Sequence, residues 1–154
     1  MGRIEKAKGN FYDGRNCCQS VVSAYSDLFG LDQETALRIS EPLGAGMGRM
    51  RLTCGAVSGM FMLAGLMLGK GSRGTRRDRG DLYEEIRWLA NGFRREFGSI
   101  ICGDLLGINP AAQEGSMPEE RTEAYYKKRP CVECIGKAAA LFEELAKKYH
   151  FPLE

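Results

Sequence analysis

Histidine is almost absent from this chain: His150 is the only one among 154 residues. Zinc sites built on histidine, and Ser-His or Cys-His catalysis, therefore have little support. A dominant charge is also lacking. Twenty-two basic and 20 acidic side chains leave +2, too little to imply nucleic acid by itself. No apolar run is long enough to span a bilayer. The longest, Ala56 to Leu68, is interrupted by Ser58, Gly59 and Gly65, which reads as a buried core helix and not as membrane insertion. Met1 to Lys8 is polar and carries no apolar signal stretch, so a cytoplasmic location is expected. There is no β-type alternation, no internal repeat and no linker. The glycine-rich loop Leu43 to Arg51 has neither a G-x-G-x-x-G pattern nor a Gly-Lys-Ser/Thr ending, so it is not read as a phosphate loop.

What remains is a 44% hydrophobic, 27% charged composition that suits one globular domain over residues 1–154. The expected class is all-α, a helical bundle around a central Gly/Met-rich helix. A helix is expected over Arg3 to Tyr12, a second from Cys17 to about Phe29, and a third, capped by Asp32, to Ser40. In that third helix Ala36, Leu37 and Ile39 should face inward. The core helix follows from Cys54 to Leu68, with Met60, Met62 and Met67 as core filling. Lys70 to Gly80 reads as a solvated, arginine-rich loop (Arg73, Arg76, Arg77, Arg79). Asp81 is expected to cap a helix to Phe97, with Tyr83, Ile86, Leu89, Ala90 and Phe93 as its apolar stripe. A short helix over Ser99 to Leu106, a loop over 109–117, a helix opened by Pro118 to Lys128 and a last helix from Cys131 to about Tyr149 complete the chain.

Six cysteines in a cytoplasmic protein of this size point away from a disulfide framework. Four of them sit at expected helix starts: Cys17 after Asn16, Cys54 after Thr53, Cys102 three residues after Ser99, and Cys131 after Pro130. Unpaired N–H groups and the positive end of the helix dipole both favour a thiolate there. Cys54 should be the most activated, with Thr53 capping its helix and Arg49 and Arg51 adding positive charge, although these two arginines read equally well as solvated surface charges. Gly55 and Gly59 are four apart and share a helix face. That face would admit a sulfur or a cofactor, or it would serve tight helix packing. Cys18 points about 100° away from Cys17 around a helix. Cys134 completes a C-x-x-C with Cys131, as a resolving thiol, an alternative ligand or a core residue.

The ordered set Asn16-Cys17, Gly44-Ala45-Gly46-Met47-Gly48-Arg49, Cys54-Gly55-Ala56-Val57-Ser58-Gly59, Phe97-Gly98-Ser99-Ile100-Ile101-Cys102 and Cys131 resembles the C-GCAxxG-C-C family of redox-active proteins. The resemblance covers about residues 5 to 147. It implies a helical domain with a four-cysteine redox site, matching Cys17, Cys54, Cys102 and Cys131 here. A similar domain occurs in split-Soret cytochromes, beside haem and an iron–sulfur centre. This chain departs from those: Cys131-Val132-Glu133-Cys134 is followed by Ile135, so no C-x-x-C-H exists and no covalent haem is expected.

Two redox readings stay open. In the first, Cys17, Cys54, Cys102 and Cys131 ligate an iron–sulfur cluster or thiophilic metal for electron transfer, with Gly55 and Gly59 beside it. The second is a metal-free thiol–disulfide protein attacking through Cys54, or through Cys131 with Cys134. A third reading, an accessory protein with inert buried thiols, is of another class. A redox partner protein is expected, nucleic acid is not, and homodimer formation is left open.

Overall fold

The computed structural model describes residues 2–109 and 114–154. Among these the fold is all-α, with no strands. The helices are α1 (Arg3–Tyr12), α2 (Cys17–Ser23), α3 (Gln33–Ser40), α4 (Gly55–Leu68), α5 (Arg76–Phe97), α6 (Cys102–Leu106), α7 (Glu123–Lys128) and α8 (Cys131–Lys148). The loop expected over 109–117 lies partly outside the described residues, at 110–113.

α4 is apolar nearly all round, and a helix of that kind is stable only when surrounded. It packs against α2, α5 and α8. Gly55, Ala56, Val57, Ser58, Gly59, Met60, Leu63 and Ala64 are all buried on it. α8 supplies the opposing face, with Ile135, Ala138, Ala139, Phe142 and Leu145 wholly buried as their spacing predicts. Each large side chain there contributes roughly 1.5–3 kcal/mol of burial. Gly59 is a packing residue: a Cβ on it would lie 2.9 Å from the Cβ of Val21, so its missing side chain lets α2 approach α4.

Several boundaries differ from expectation for identifiable reasons. The second helix does not run to Phe29. It ends at Ser23, and a 3₁₀ turn covers Ser26–Phe29. Tyr25 leaves the helical path (φ −129°); its hydroxyl meets Glu143 at 2.5 Å and its ring lies 5.1 Å from Phe142. Packing has overridden local preference. α5 starts five residues before Asp81. Thr75 and Asp78 form a capping box, the reciprocal arrangement that satisfies two orphan N–H groups, so half of the expected arginine loop is helix. Tyr83 on that helix is exposed, as is Ile39 on α3. α6 is shorter than expected: Ser99 accepts from the Ile101 N–H at 3.0 Å and donates to Asp104 at 2.8 Å, ahead of the first helical turn. α7 begins at Glu123 and not at Pro118, because Thr122 is the residue that accepts from the Tyr125 N–H. No helix among the described residues is long and apolar enough to cross a membrane.

Candidate functional site

Residues 44–53 form an irregular segment that positions two of the cysteines. Ala45, Met47, Arg49 and Arg51 all have positive φ, as do Gly46 and Gly48. A left-handed conformation costs an ordinary residue roughly 1–2 kcal/mol, so the surroundings must hold it. They do so through backbone hydrogen bonds: Gly48 N–H to Pro42 at 3.0 Å, Leu52 N–H to Gly46 at 2.8 Å and Gly103 N–H to Arg51 at 3.1 Å. An isolated antiparallel bridge joins Thr53 to Ile101. Its flanking bonds, Cys54 N–H to Ile100 (2.7 Å) and Cys102 N–H to Leu52 (2.6 Å), tie the two cysteines across the bridge. Gly46 is where the loop touches the site: a Cβ there would lie 2.7 Å from the Cβ of Cys102 and from the Cα of Arg51.

Asn16 positions the third cysteine. It caps α2 by accepting from the Gln19 N–H at 3.0 Å and donates to the Glu41 carbonyl at 2.9 Å. Cys17 is thus the first residue of α2, against Gly55, where a Cβ would lie 3.0 Å from the Cys17 Cβ. Cys131 opens α8 with Cys134 one turn on.

These elements meet at one cavity of about 340 Å³, whose walls include Cys17, Cys54, Cys102, Cys131, Cys134 and Gly55. Gly59 and Cys18 are not among the lining residues. Cys18 is wholly buried on the other side of α2, 3.8 Å from the Met62 sulfur. His150 is exposed, at the far end of α8.

The thiols that line the cavity influence one another's titration across helices. Interaction with Cys131 pushes the Cys17 pKa well up, with burial adding to the effect. The same interaction lowers Cys131, and Arg129, Arg121 and Arg51 lower it further against the opposing effect of burial. Cys54 is lowered by its contact with Cys134, and the Val57 and Ala56 N–H groups at the start of α4 lower it too, while burial opposes them. Cys134 is raised correspondingly. Cys102 stays raised by burial, although the Arg51 guanidinium donates to it at 3.6 Å and pulls it down. Cys54 itself is the N-cap of α4, so Thr53 does not cap that helix; it is engaged in the bridge to Ile101.

Arg49 and Arg51 are not solvated surface charges. Their side chains are only 13% and 11% exposed, and both pair with Glu114. Arg121 lies over the Phe11 ring at 4.4 Å, and Arg129 over Tyr125 at 4.6 Å and beside Glu119. All four arginines line the cavity. Sequence reading missed Arg121, Arg129 and Tyr125. The available signal was Arg129-Pro130 directly before Cys131, and arginines bracketing Tyr125-Tyr126.

As for metals, the donor set is chemically soft, which suits thiophilic ions and clusters. Among the described residues, however, no three His, Cys, Asp or Glu side chains are gathered tightly enough to hold one ion.

The all-α fold thus brings five thiols and four arginines to one cavity. The family described as putative redox-active protein (C_GCAxxG_C_C) matches residues 15–145, and the chain belongs to it. No curated protein and no solved structure matches the chain.

Proposed function

We propose that the protein performs thiol–disulfide exchange, with Cys131 as the attacking thiol and Cys17 as the resolving thiol. The observation that carries this reading is the Cys17–Cys131 pair. Both thiols line the cavity and are half-buried where Cys54, Cys102 and Cys134 are buried, and Cys131 is the one of the two whose pKa is lowered. The thiolate is the nucleophile in exchange. Cys131 attacks one sulfur of an external disulfide; a Cys131–substrate disulfide forms and the first substrate thiolate leaves. Cys17 then loses its proton and attacks the Cys131 sulfur, releasing the second thiolate. The substrate gains two electrons, and Cys17 and Cys131 are oxidised to a disulfide. The test is to treat reduced protein with glutathione disulfide and map the linkages by mass spectrometry. A Cys17–Cys131 disulfide with two glutathione thiols released is expected, and Cys131→Ser should abolish it. Unchanged exchange in that variant would refute the assignment.

A second reading draws on a different observation. Cys17, Cys54, Cys102 and Cys131 face the same cavity as Arg49, Arg51, Arg121 and Arg129, a positive wall that would offset the negative charge of a thiolate-ligated iron–sulfur cluster. Those four cysteines would hold the cluster, which would supply one-electron transfer. Anaerobic reconstitution with iron and sulfide tests it. Charge-transfer absorption that Cys54→Ser reduces strongly and Cys18→Ser leaves intact would support a cluster. A colourless, metal-free product would leave exchange as the working chemistry.

A further inference from the structure

The exchange reaction above uses the thiols of the cavity and leaves its arginines without a task. Arg49, Arg51, Arg121 and Arg129 all line the wall. Arg49 and Arg51 share one carboxylate, Glu114, and Arg129 pairs with Glu119. Arg121 has no carboxylate partner among the described residues. It donates to the Phe11 carbonyl at 3.1 Å and to the Arg15 carbonyl at 3.0 Å. A guanidinium carries five N–H donors, so donors remain for a ligand. Its Cζ lies 4.4 Å from the centre of the Phe11 ring and 5.0 Å from that of Tyr125. Two carbonyls and two rings therefore fix this group without neutralising it. The carboxylates that line the cavity are Glu41, which is exposed, and Glu119. With Glu114 added, four guanidinium groups still face only three carboxylates. Phe11, Leu105, Leu106 and Tyr125 give the same wall an apolar part, and a charge beside apolar walls acts more strongly than one in open water. A volume of about 340 Å³ falls in the range of small-molecule sites.

We infer that the cavity selects small disulfides that carry carboxylates, and that Arg121 is the residue that receives the carboxylate. The inference rests on the exchange function proposed above and names its substrate class. Arginine suits this role because its planar fork matches a carboxylate with two parallel hydrogen bonds. The surplus positive charge also serves the reaction. A thiolate attacking an anionic disulfide meets like charge, and the guanidinium groups offset it. The Cys131 sulfur bonds to one substrate sulfur, the substrate S–S bond breaks, and the other half leaves as a thiolate with the electron pair. Cys17 then displaces the first half from Cys131, so the substrate gains two electrons and the two cysteines lose them. Arg121 takes no part in these bond changes. It sets which disulfide is held. A cationic disulfide would meet the same surplus charge and be repelled, and a neutral one would gain nothing from it.

The test compares three disulfides of similar size on fully reduced wild-type protein: dithiodipropionate (anionic), hydroxyethyl disulfide (neutral) and cystamine (cationic). Each rate of thiol release is divided by the rate with a free model thiol, which removes the intrinsic reactivity of the disulfide. The anionic compound should lead the neutral one by about tenfold, the size of one charge-assisted hydrogen bond, and cystamine should be slowest. Added salt should narrow the spread, since it screens the charges. Arg121 also lowers the Cys131 pKa, so Arg121→Gln should slow exchange with every disulfide, and the anionic-to-neutral ratio is the deciding readout. That ratio should collapse toward one in Arg121→Gln and be partly kept in Arg121→Lys. If the neutral or cationic compound matches the anionic one on wild-type protein, or if folded Arg121→Gln keeps the full ratio, the selectivity is wrong and the exchange function stands. If none of the three oxidises Cys17 and Cys131, both fall. The wild-type ranking decides the substrate class even if the variants do not fold.

Discussion

Arg51 donates from Nη1 to the sulfur of Cys102 at 3.6 Å while its Nε holds Glu114 at 2.7 Å. One side chain thus links a buried thiol to a carboxylate 63 residues along the chain. Burial raises the Cys102 pKa and Arg51 opposes that rise. Arg51→Gln removes the opposing charge and leaves the burial, so Cys102 should titrate higher still. The expected outcome is that alkylation of Cys102 in reduced protein moves to higher pH, with Cys18 as an unaffected internal reference. A shift to lower pH would mean that Arg51 does not act on this sulfur.

The outer pair should show its asymmetry in the same experiment. Contact with Cys17 is the largest influence lowering Cys131, ahead of the opposing burial, with three arginines assisting. The thiolate is the lower-proton form, so Cys131 should be modified at a pH below the ordinary thiol range while Cys17 stays inert. Cys17→Ala removes the contact, and the Cys131 profile should move up in pH. If the two cysteines react in parallel at every pH, Cys131 has no advantage as nucleophile.

Much of the architecture was legible because the signals were local. Asn16 and Asp32 announced their helices by capping chemistry, and α8 showed its buried face through the spacing of Ile135, Ala138, Ala139, Phe142 and Leu145. The apolar stretch after Cys54 announced a central helix because nothing on it suits water. Thr75 and Asp78 carried the same kind of signal, but the glycine and arginines after them looked like loop. The break after Ser23 was not readable, since it depends on Tyr25 reaching Glu143 and Phe142 more than a hundred residues away. The cysteines divide along the same line. Their positions at helix starts are a sequence property. Their meeting is a tertiary property: the C-x-x-C places two thiols in α8, and the fold brings Cys17, Cys54 and Cys102 from other segments to the same cavity. Gly55 and Gly59 show the limit of a shared helix face. They are one turn apart, yet Gly55 borders the cavity and Gly59 receives Val21.

The glycine-rich segment yields a paired stability prediction. Gly46 and Gly48 both have positive φ, at 68° and 60°. A Cβ at Gly46 would collide with the Cα of Arg51 and the Cβ of Cys102, whereas a Cβ at Gly48 would meet nothing within 4 Å. Gly48→Ala carries only the conformational penalty, about 1–2 kcal/mol. Gly46→Ala adds overpacking, for a total on the order of 2–5 kcal/mol. Denaturant titration should rank them in that order, and only Gly46→Ala should change the alkylation rate of Cys102. Equal losses would show that the loop does not press on the cysteine as described.

Cys18 provides the sharpest separation of redox thiol from core thiol, because it adjoins Cys17 in the chain. It is wholly buried, beside the Met62 sulfur at 3.8 Å, in a small apolar cluster with Val22 and Ala36. Burial pushes its pKa up to about 12, so near neutral pH it is a protonated, shielded thiol with little nucleophilic character. Cys18→Ser replaces a sulfur suited to that cluster with a hydroxyl, which costs roughly 1–3 kcal/mol when a polar group is buried in apolar surroundings. The variant should therefore unfold at lower denaturant concentration. Its redox behaviour should not change, because Cys17, Cys54, Cys131 and Cys134 line the cavity and Cys18 does not. Glutathione disulfide should yield the same disulfides as in the wild type. A missing linkage in folded Cys18→Ser protein would put Cys18 inside the redox cluster and overturn the division of the six cysteines made here.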